Sequence, residues 1–127
     1  MVSILTELTN EPRPGFVARR FVRGILNRWQ VPSELLEPAE LVVSELVGNA
    51  VKHADGATTL RLSKNDAELR IEVCDRGAGT PVVLQAGPLE EGHRGLFIVQ
   101  AVSTSWGCQP TEAGKTVWAT FCLTSSA

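Results

Sequence analysis

The sequence has few cysteines, no long apolar run and no large excess of charge, and each shortage excludes a class of protein. Its three cysteines are odd in number and widely spaced, which indicates reduced core thiols of a cytoplasmic protein rather than a disulfide framework. No apolar run approaches the roughly 20 residues of a membrane helix, and the charged, proline-containing start predicts no signal peptide. Because 12 Lys and Arg face 14 Asp and Glu, the net charge of −2 gives no sign of nucleic-acid binding.

What the chain does have is the composition of one globular domain. Its 127 residues are 43% hydrophobic and 20% charged, a mixture typical of a packed core with a solvated surface. No repeat, low-complexity tract or linker divides the sequence. We therefore expect a single domain over residues 1–127.

The spacing of apolar residues predicts strands and helices in an order that defines the fold class. Helical periods alternate with stretches of period two, which are typical of half-buried strands. The predicted elements are strand Ser3–Leu8, helices Gly15–Trp29 and Ser33–Ala54, a hairpin of Thr58–Ser63 and Leu69–Cys74, a loop Asp75–Gly92, helix Arg94–Ser103, and a hairpin of Trp106–Gln109 and Thr116–Leu123. This order predicts an α+β two-layer sandwich, a mostly antiparallel sheet covered on one face by about three helices.

Three polar residues of the second predicted helix form one row along its apolar stripe. Glu45, Asn49 and His53 are four residues apart, so they lie one above another at the border of the stripe. Such a row is either a solvated flank of the helix or part of a site. Asparagine is a poor helix former, and an amide oxygen is a suitable Mg²⁺ ligand, which favours a site. Glu45, one turn away, could orient or deprotonate a hydroxyl group or water.

The predicted loop begins and ends with glycine-rich segments that could hold a ligand. Asp75 leaves the end of a strand, and Gly77 and Gly79 let the backbone approach a flat ring or a phosphate. At the other end Gly92 leads into a helix whose N-terminus, with Arg94, could bind an anion. Each segment alone is also compatible with an ordinary turn or a surface arginine.

Two other kinds of site are not predicted. Gly114-Lys115-Thr116 looks like the tail of a phosphate-binding P-loop, but Gln109 stands where that pattern requires glycine, and a strand follows instead of a helix. The cysteines and histidines have no close metal-ligand spacing, so we do not expect zinc.

Four motifs in order resemble those of one known superfamily. They are E-L-V-G-N-A-V-K-H-A from Glu45, D-R-G-A-G from Asp75, G-H-R-G-L from Gly92 and G-K-T-V-W from Gly114. Together they resemble the Bergerat-fold (GHKL) ATP-binding superfamily. Within it they look most like the small serine/threonine kinases of the RsbW-like anti-sigma-factor branch, and the similarity covers nearly the whole chain.

The resemblance implies a Bergerat fold and a role for each motif residue. Asn49 would coordinate Mg²⁺, and Glu45 would be the general base or the carboxylate that orients the substrate hydroxyl. Asp75 would accept a hydrogen bond from the adenine amino group, with Thr116 nearby in the same network. The remaining positions would shape the adenine pocket (Gly77, Gly79), line the phosphate end of a lid (Arg94, Gly95, Leu96), or tune the pocket or contact phosphate (His53).

The same resemblance implies a function and its partners. The chain would be a cytoplasmic, ATP- and Mg²⁺-dependent serine/threonine kinase that phosphorylates an anti-anti-sigma protein with a STAS domain and sequesters a sigma factor. Such proteins commonly dimerise, and neither direct nucleic-acid binding nor a membrane is implied.

Two alternatives to this function stay open. One is a non-catalytic nucleotide-binding regulator that docks a partner, for which the basic face of Arg19, Arg20 and Arg23 offers a surface. The other is a histidine-kinase-like module that acts on a separate phospho-acceptor.

Overall fold

The computed structural model describes residues 1–53, 58–76, 94–112 and 114–123. These residues form five strands, three α-helices and one turn of 3₁₀ helix, Ser33–Leu35. In chain order the elements are β1 (Val2–Glu7), α1 (Pro14–Arg28), α2 (Leu36–His53), β2 (Thr58–Lys64), β3 (Glu68–Asp75), α3 (Arg94–Val102), β4 (Ser105–Pro110) and β5 (Lys115–Cys122). The predicted α+β class is confirmed.

The described strands form one sheet in the order β1-β2-β3-β5-β4, and every neighbouring pair is antiparallel. Its two faces differ because successive side chains of a strand point to opposite sides. In β3, Leu69, Ile71 and Val73 are fully buried, whereas Arg70 and Glu72 between them are only half-buried. The sheet therefore has one core face and one polar face.

The helices form the second layer. α2 lies against β2, β3 and β5, while α1 and α3 both pack against α2. Between the layers the largest fully buried side chains are Val22, Leu26, Val42, Val43, Leu46, Val47, Leu60, Leu62, Leu69, Ile71, Val73 and Val99. Burial of this apolar surface drives the packing of α2 onto the sheet.

The arginines of α1 are partly engaged inside the domain. The guanidinium group of Arg19 donates a 2.7 Å hydrogen bond to Ser44 Oγ, and Arg23 forms an ion pair with Glu40. Both partners belong to α2. Two of the three arginines that could serve a docking face are therefore bound to the neighbouring helix.

Several predicted boundaries need correction. Ser33 is the first residue of a 3₁₀ turn, Ser33–Leu35, and not the N-cap of α2, which begins at Leu36. The predicted end of that helix at Ala54 and most of the Asp75–Gly92 loop lie outside the described residues. Cys122 is exposed and Cys74 is half-buried, and both lie on the polar face of the sheet, so neither is the core thiol that the sequence predicts. No helix within the described ranges is long and apolar enough to cross a membrane.

Candidate functional site

The polar row of α2 lies where the sequence predicts it. Glu45 and Asn49 are half-buried, and the neighbouring Leu46 and Ala50 are almost completely buried in the core. His53 is the last residue of α2, but its side chain lies outside the described residues. The two described members of the row thus stand at the border between core and solvent, one helical turn apart.

Glu45 and Asn49 carry the polar atoms on the helix side of the site. Within the described part of the chain, neither side chain forms a hydrogen bond or ion pair with another residue. The amide oxygen of Asn49 is a hard oxygen donor of the kind that Mg²⁺ prefers, together with water and phosphate oxygens, and the carboxylate of Glu45 lies one helical turn away. The donor set therefore fits a magnesium–nucleotide complex.

The end of β3 carries a different kind of site. Asp75 is the last residue of β3, on the core face two positions after Val73, and it is only 4% exposed. Lys115 is the first residue of β5 and pairs directly with Asp75 across the antiparallel ladder. Its Nζ atom lies 3.2 Å from Oδ2 and 3.4 Å from Oδ1 of the carboxylate. The two charges compensate each other where water is almost absent.

Sequence reasoning missed Lys115, although a signal for it exists. Val117, Ala119 and Phe121 are buried, so alternation along β5 places Lys115 on the same core face. Because the sequence prediction starts this strand at Thr116, Lys115 falls into the preceding turn. A lysine at a core-face position indicates a buried partner of opposite charge.

Thr116 lies one position from the ion pair, and its role in a network with adenine stays a prediction. Thr116 pairs with Cys74 in the ladder, and its Oγ1 atom lies 3.2 Å from Cys74 Sγ. Both residues are on the polar face of the sheet, whereas Asp75 is on the core face. One step along a strand reverses the side-chain direction, so the residue of β5 that contacts the Asp75 carboxylate is Lys115.

The backbone of Gly114 lies very close to the backbone of Asp75 and Arg76. A Cβ atom at that position would lie 2.6 Å from Cα of Arg76 and closer still to the carbonyl oxygen of Asp75. Real Cβ atoms essentially never come so near, so the approach requires glycine. The Gly114 backbone therefore fixes the chain where Asp75 leaves the sheet.

A third titratable group lies beside the ion pair. Cys108 of β4 pairs with Val117 of β5 and is half-buried. Burial raises the pKa of the Cys108 thiol, Asp75 raises it further, and the positive charge of Lys115 opposes the increase. The pKa of the Cys108 thiol therefore depends on both Asp75 and Lys115.

The other predicted site residues belong to the segments that flank the N-terminus of α3 and the end of β3. Gly77 and Gly79 lie outside the described residues, as do the side-chain surroundings of Arg94, Gly95 and Leu96. The backbone of α3 is described from Arg94, and α3 packs against α2.

Comparison with known proteins assigns the chain to a family. The chain is similar to the serine-protein kinase RsbW of Oceanobacillus iheyensis, with 29% identity over 103 residues. The match covers 68% of this chain and 65% of that relative, so the chain spans less than two thirds of the relative's length. The profile of the histidine kinase-like ATPase domain matches residues 9–121, from the end of β1 nearly to the end of β5. The chain therefore belongs to the histidine kinase-like ATPase domain family.

Proposed function

We propose that the chain binds Mg²⁺–ATP and transfers the γ-phosphoryl group to a serine or threonine of an anti-anti-sigma protein with a STAS domain. In the same proposal it sequesters a sigma factor in the cytoplasm. One observation carries it: α2, with Glu45 and Asn49 at its core border, packs on β3, which ends in the buried carboxylate of Asp75. Metal-binding and base-binding groups thus belong to elements in direct contact.

Each end of the nucleotide has a proposed partner. The Asp75 carboxylate accepts a hydrogen bond from the 6-amino group of adenine, and Gly77 and Gly79 shape the pocket around the base. The amide oxygen of Asn49 ligates Mg²⁺, which neutralises negative charge on the phosphates. Arg94, Gly95 and Leu96 line the phosphate end, and His53 contacts or tunes it. The name of the RsbW relative supports a kinase of this type.

Glu45 has the proposed role in the transfer itself. The substrate hydroxyl oxygen forms a bond to the γ-phosphorus, the bond from that phosphorus to the bridging oxygen breaks, and ADP leaves. Glu45 orients the hydroxyl group and takes its proton. Because the transition state of phosphoryl transfer is loose, most of the catalysis is positioning and charge neutralisation. A half-buried carboxylate on a packed helix is suited to positioning.

The test combines binding and transfer on the same set of variants. Calorimetry measures ATP binding with and without Mg²⁺, and ATP radiolabelled on the γ-phosphate reports transfer to a purified STAS-domain protein. We expect Glu45→Gln to bind ATP and transfer no label, and Asn49→Ala to lose Mg²⁺-dependent binding. Glu37→Gln is the matched control, because Glu37 lies on the same helix but is exposed. It should behave as wild type.

The outcomes separate the kinase from its alternatives. Acid-stable label on the STAS protein indicates a serine or threonine product, whereas acid-labile label indicates phosphohistidine and contradicts the proposed substrate. ATP binding without any transfer contradicts the kinase and leaves a nucleotide-binding regulator. Absence of ATP binding by the folded wild-type chain contradicts the whole proposal.

A further inference from the structure

The Asp75–Lys115 ion pair has a feature that the proposed function leaves unused. In that function Asp75 alone contacts the base, as a hydrogen-bond acceptor. In the structure the ammonium group of Lys115 lies 3.2 Å from the same carboxylate, and the two side chains are 6% and 0% exposed. A base that reaches Asp75 therefore approaches a carboxylate that has a cationic donor directly beside it.

We propose that Lys115 is a specificity-determining residue that contacts the base beside Asp75 and lets the site accept 6-oxopurine nucleotides as well as ATP. The inference rests on the proposed function, because it takes Asp75 as the base contact. It adds a second contact and a wider substrate class, the purine nucleoside triphosphates with either an amino or an oxo group at position 6.

A lone carboxylate discriminates strongly between these two bases. It only accepts hydrogen bonds, so it pairs with the 6-amino group of adenine. The 6-oxo group of hypoxanthine or guanine is itself an acceptor, and it would meet the carboxylate with repulsion and without a donor. Buried polar groups left in that state make such a site reject the wrong ligand by large factors.

The ion pair removes this discrimination because it presents a donor next to the acceptor. With adenine, the 6-amino group donates to Asp75 while ring nitrogen N1 accepts from Lys115. With a 6-oxopurine the partners exchange: the oxo group accepts from Lys115, and the N1–H group donates to Asp75. Lysine suits the exchange, since its ammonium group carries three donors on a flexible stem.

The position of Lys115 is set by the sheet. Its strand neighbour on the core face is Val117, and the ladder from β3 to β5 places its Cα opposite that of Asp75. The flexible part is therefore the side chain alone. Because Nζ lies within 3.4 Å of both carboxylate oxygens, the ammonium group can move from one side of the carboxylate to the other. Donor and acceptor then change places along the base edge without any change in the strands.

The experiment compares two nucleotides that differ only at the purine edge. Dissociation constants of ATP and inosine triphosphate, each with Mg²⁺, are measured by displacement of a fluorescent nucleotide from the full chain. We expect the wild type to bind the two within about tenfold of each other. Lys115→Met should increase the preference for ATP by at least about tenfold, because the oxo group loses its donor. Lys115→Arg keeps a cationic donor and should restore the wild-type ratio.

Lys64→Met is the matched control. It removes the same charge from the opposite end of the neighbouring strand β2, where Lys64 pairs with Leu69 of β3. We expect the ratio of the two dissociation constants to stay at its wild-type value. A shift in this variant equal to that of Lys115→Met would mean that net charge, not contact with the base, sets the preference.

Failure of this inference is distinguishable from failure of the proposed function. A wild-type chain that binds ATP more than about tenfold tighter than inosine triphosphate overturns the role of Lys115 and leaves ATP binding intact. The same holds if Lys115→Met leaves the ratio unchanged. If Lys115→Met does not fold, the wild-type ratio still decides. Absence of binding for both nucleotides would instead contradict the proposed function.

Discussion

The two sides of the candidate site are built on opposite principles. On the helix side, Glu45 and Asn49 are half-buried and, within the described ranges, make no polar contact with other residues. On the strand side, Asp75 and Lys115 are buried and bound to each other. The helix side can therefore change without loss of the fold, whereas on the strand side the group proposed to bind the base is also one that the fold depends on.

The difference follows from the cost of burying charge. Each ion loses several kcal/mol of effective hydration free energy in a protein interior, and a close partner of opposite sign offsets the loss. Removal of one partner leaves that cost uncompensated. At the border of α2 water still reaches the polar groups, so removal of a side chain there has little effect on the free energy of unfolding.

The largest expected effect on stability is that of Asp75→Ala. The Lys115 ammonium would remain in the core without its carboxylate, so we expect the free energy of unfolding to fall by about 3–5 kcal/mol. Urea unfolding followed by circular dichroism measures this change. Nucleotide binding should be lost together with stability.

The double variant Asp75→Leu/Lys115→Met separates the two effects. With both charges replaced by apolar groups, we expect most of the stability to return, because replacement of a buried ion pair is often neutral. Binding of ATP should remain absent. A double variant as unstable as Asp75→Ala would show that the pair is not the source of the loss, and one that binds ATP would exclude Asp75 as the base contact.

The second expected effect is that of Gly114→Ala. Its Cβ would meet the backbone of Asp75 and Arg76, so the turn must move, at a cost of about 1–3 kcal/mol in the free energy of unfolding. Gly24→Ala is the control, because Gly24 is exposed inside α1 and a Cβ there meets nothing within 4 Å. That variant should be more stable by about 0.5–1 kcal/mol. A loss of stability in both variants would contradict the steric explanation.

The helix side of the site was accessible to sequence reasoning, and the strand side only in part. Periods of four residues placed Glu45 and Asn49 at the edge of the buried stripe, because helical geometry depends only on local spacing. Asp75 could be singled out as the residue at a strand end. The contact between Lys115 and Asp75 could not be predicted, because the two residues are 40 positions apart in the chain and their contact depends on the register between β3 and β5.

The fold class was predictable because it also follows from local spacing, whereas the pairing of individual residues between strands was not. Alternation in β2 and β3 and the apolar stripe of α2 determine one sheet with a helical layer. Thr116 illustrates the limit: a resemblance indicates which motif a residue belongs to, but a shift of one position reverses the face on which its side chain lies. The motif G-K-T thus includes the residue that contacts Asp75, but only the structure identifies that residue as Lys115.

The third prediction concerns Asn49→Ala and sharpens the contrast between the two sides. Alanine has the higher helix propensity, so the free energy of unfolding should stay unchanged or rise by up to about 0.5 kcal/mol. Binding of ATP in the presence of Mg²⁺ should nevertheless fall to the level measured with a chelator. Thermal unfolding and calorimetry on the same preparation measure both quantities. A clear loss of stability would mean that Asn49 is a structural residue.

The smallest expected effect is on the Cys108 thiol, and it tests the ion pair without any ligand. Burial raises the pKa of Cys108, so the thiolate forms at higher pH in the folded chain than in the unfolded one. Its contribution to stability is therefore complete below the ordinary thiol pKa of 9.0 and is lost as the pH rises through the folded-state value.

Peptide mapping after alkylation over a pH series measures the thiolate fraction, with the exposed Cys122 as internal reference. Lys115→Met should move the Cys108 midpoint to still higher pH and Asp75→Asn should lower it, because the two charges act in opposite directions. Equal midpoints in all three chains would contradict the placement of the ion pair beside this thiol.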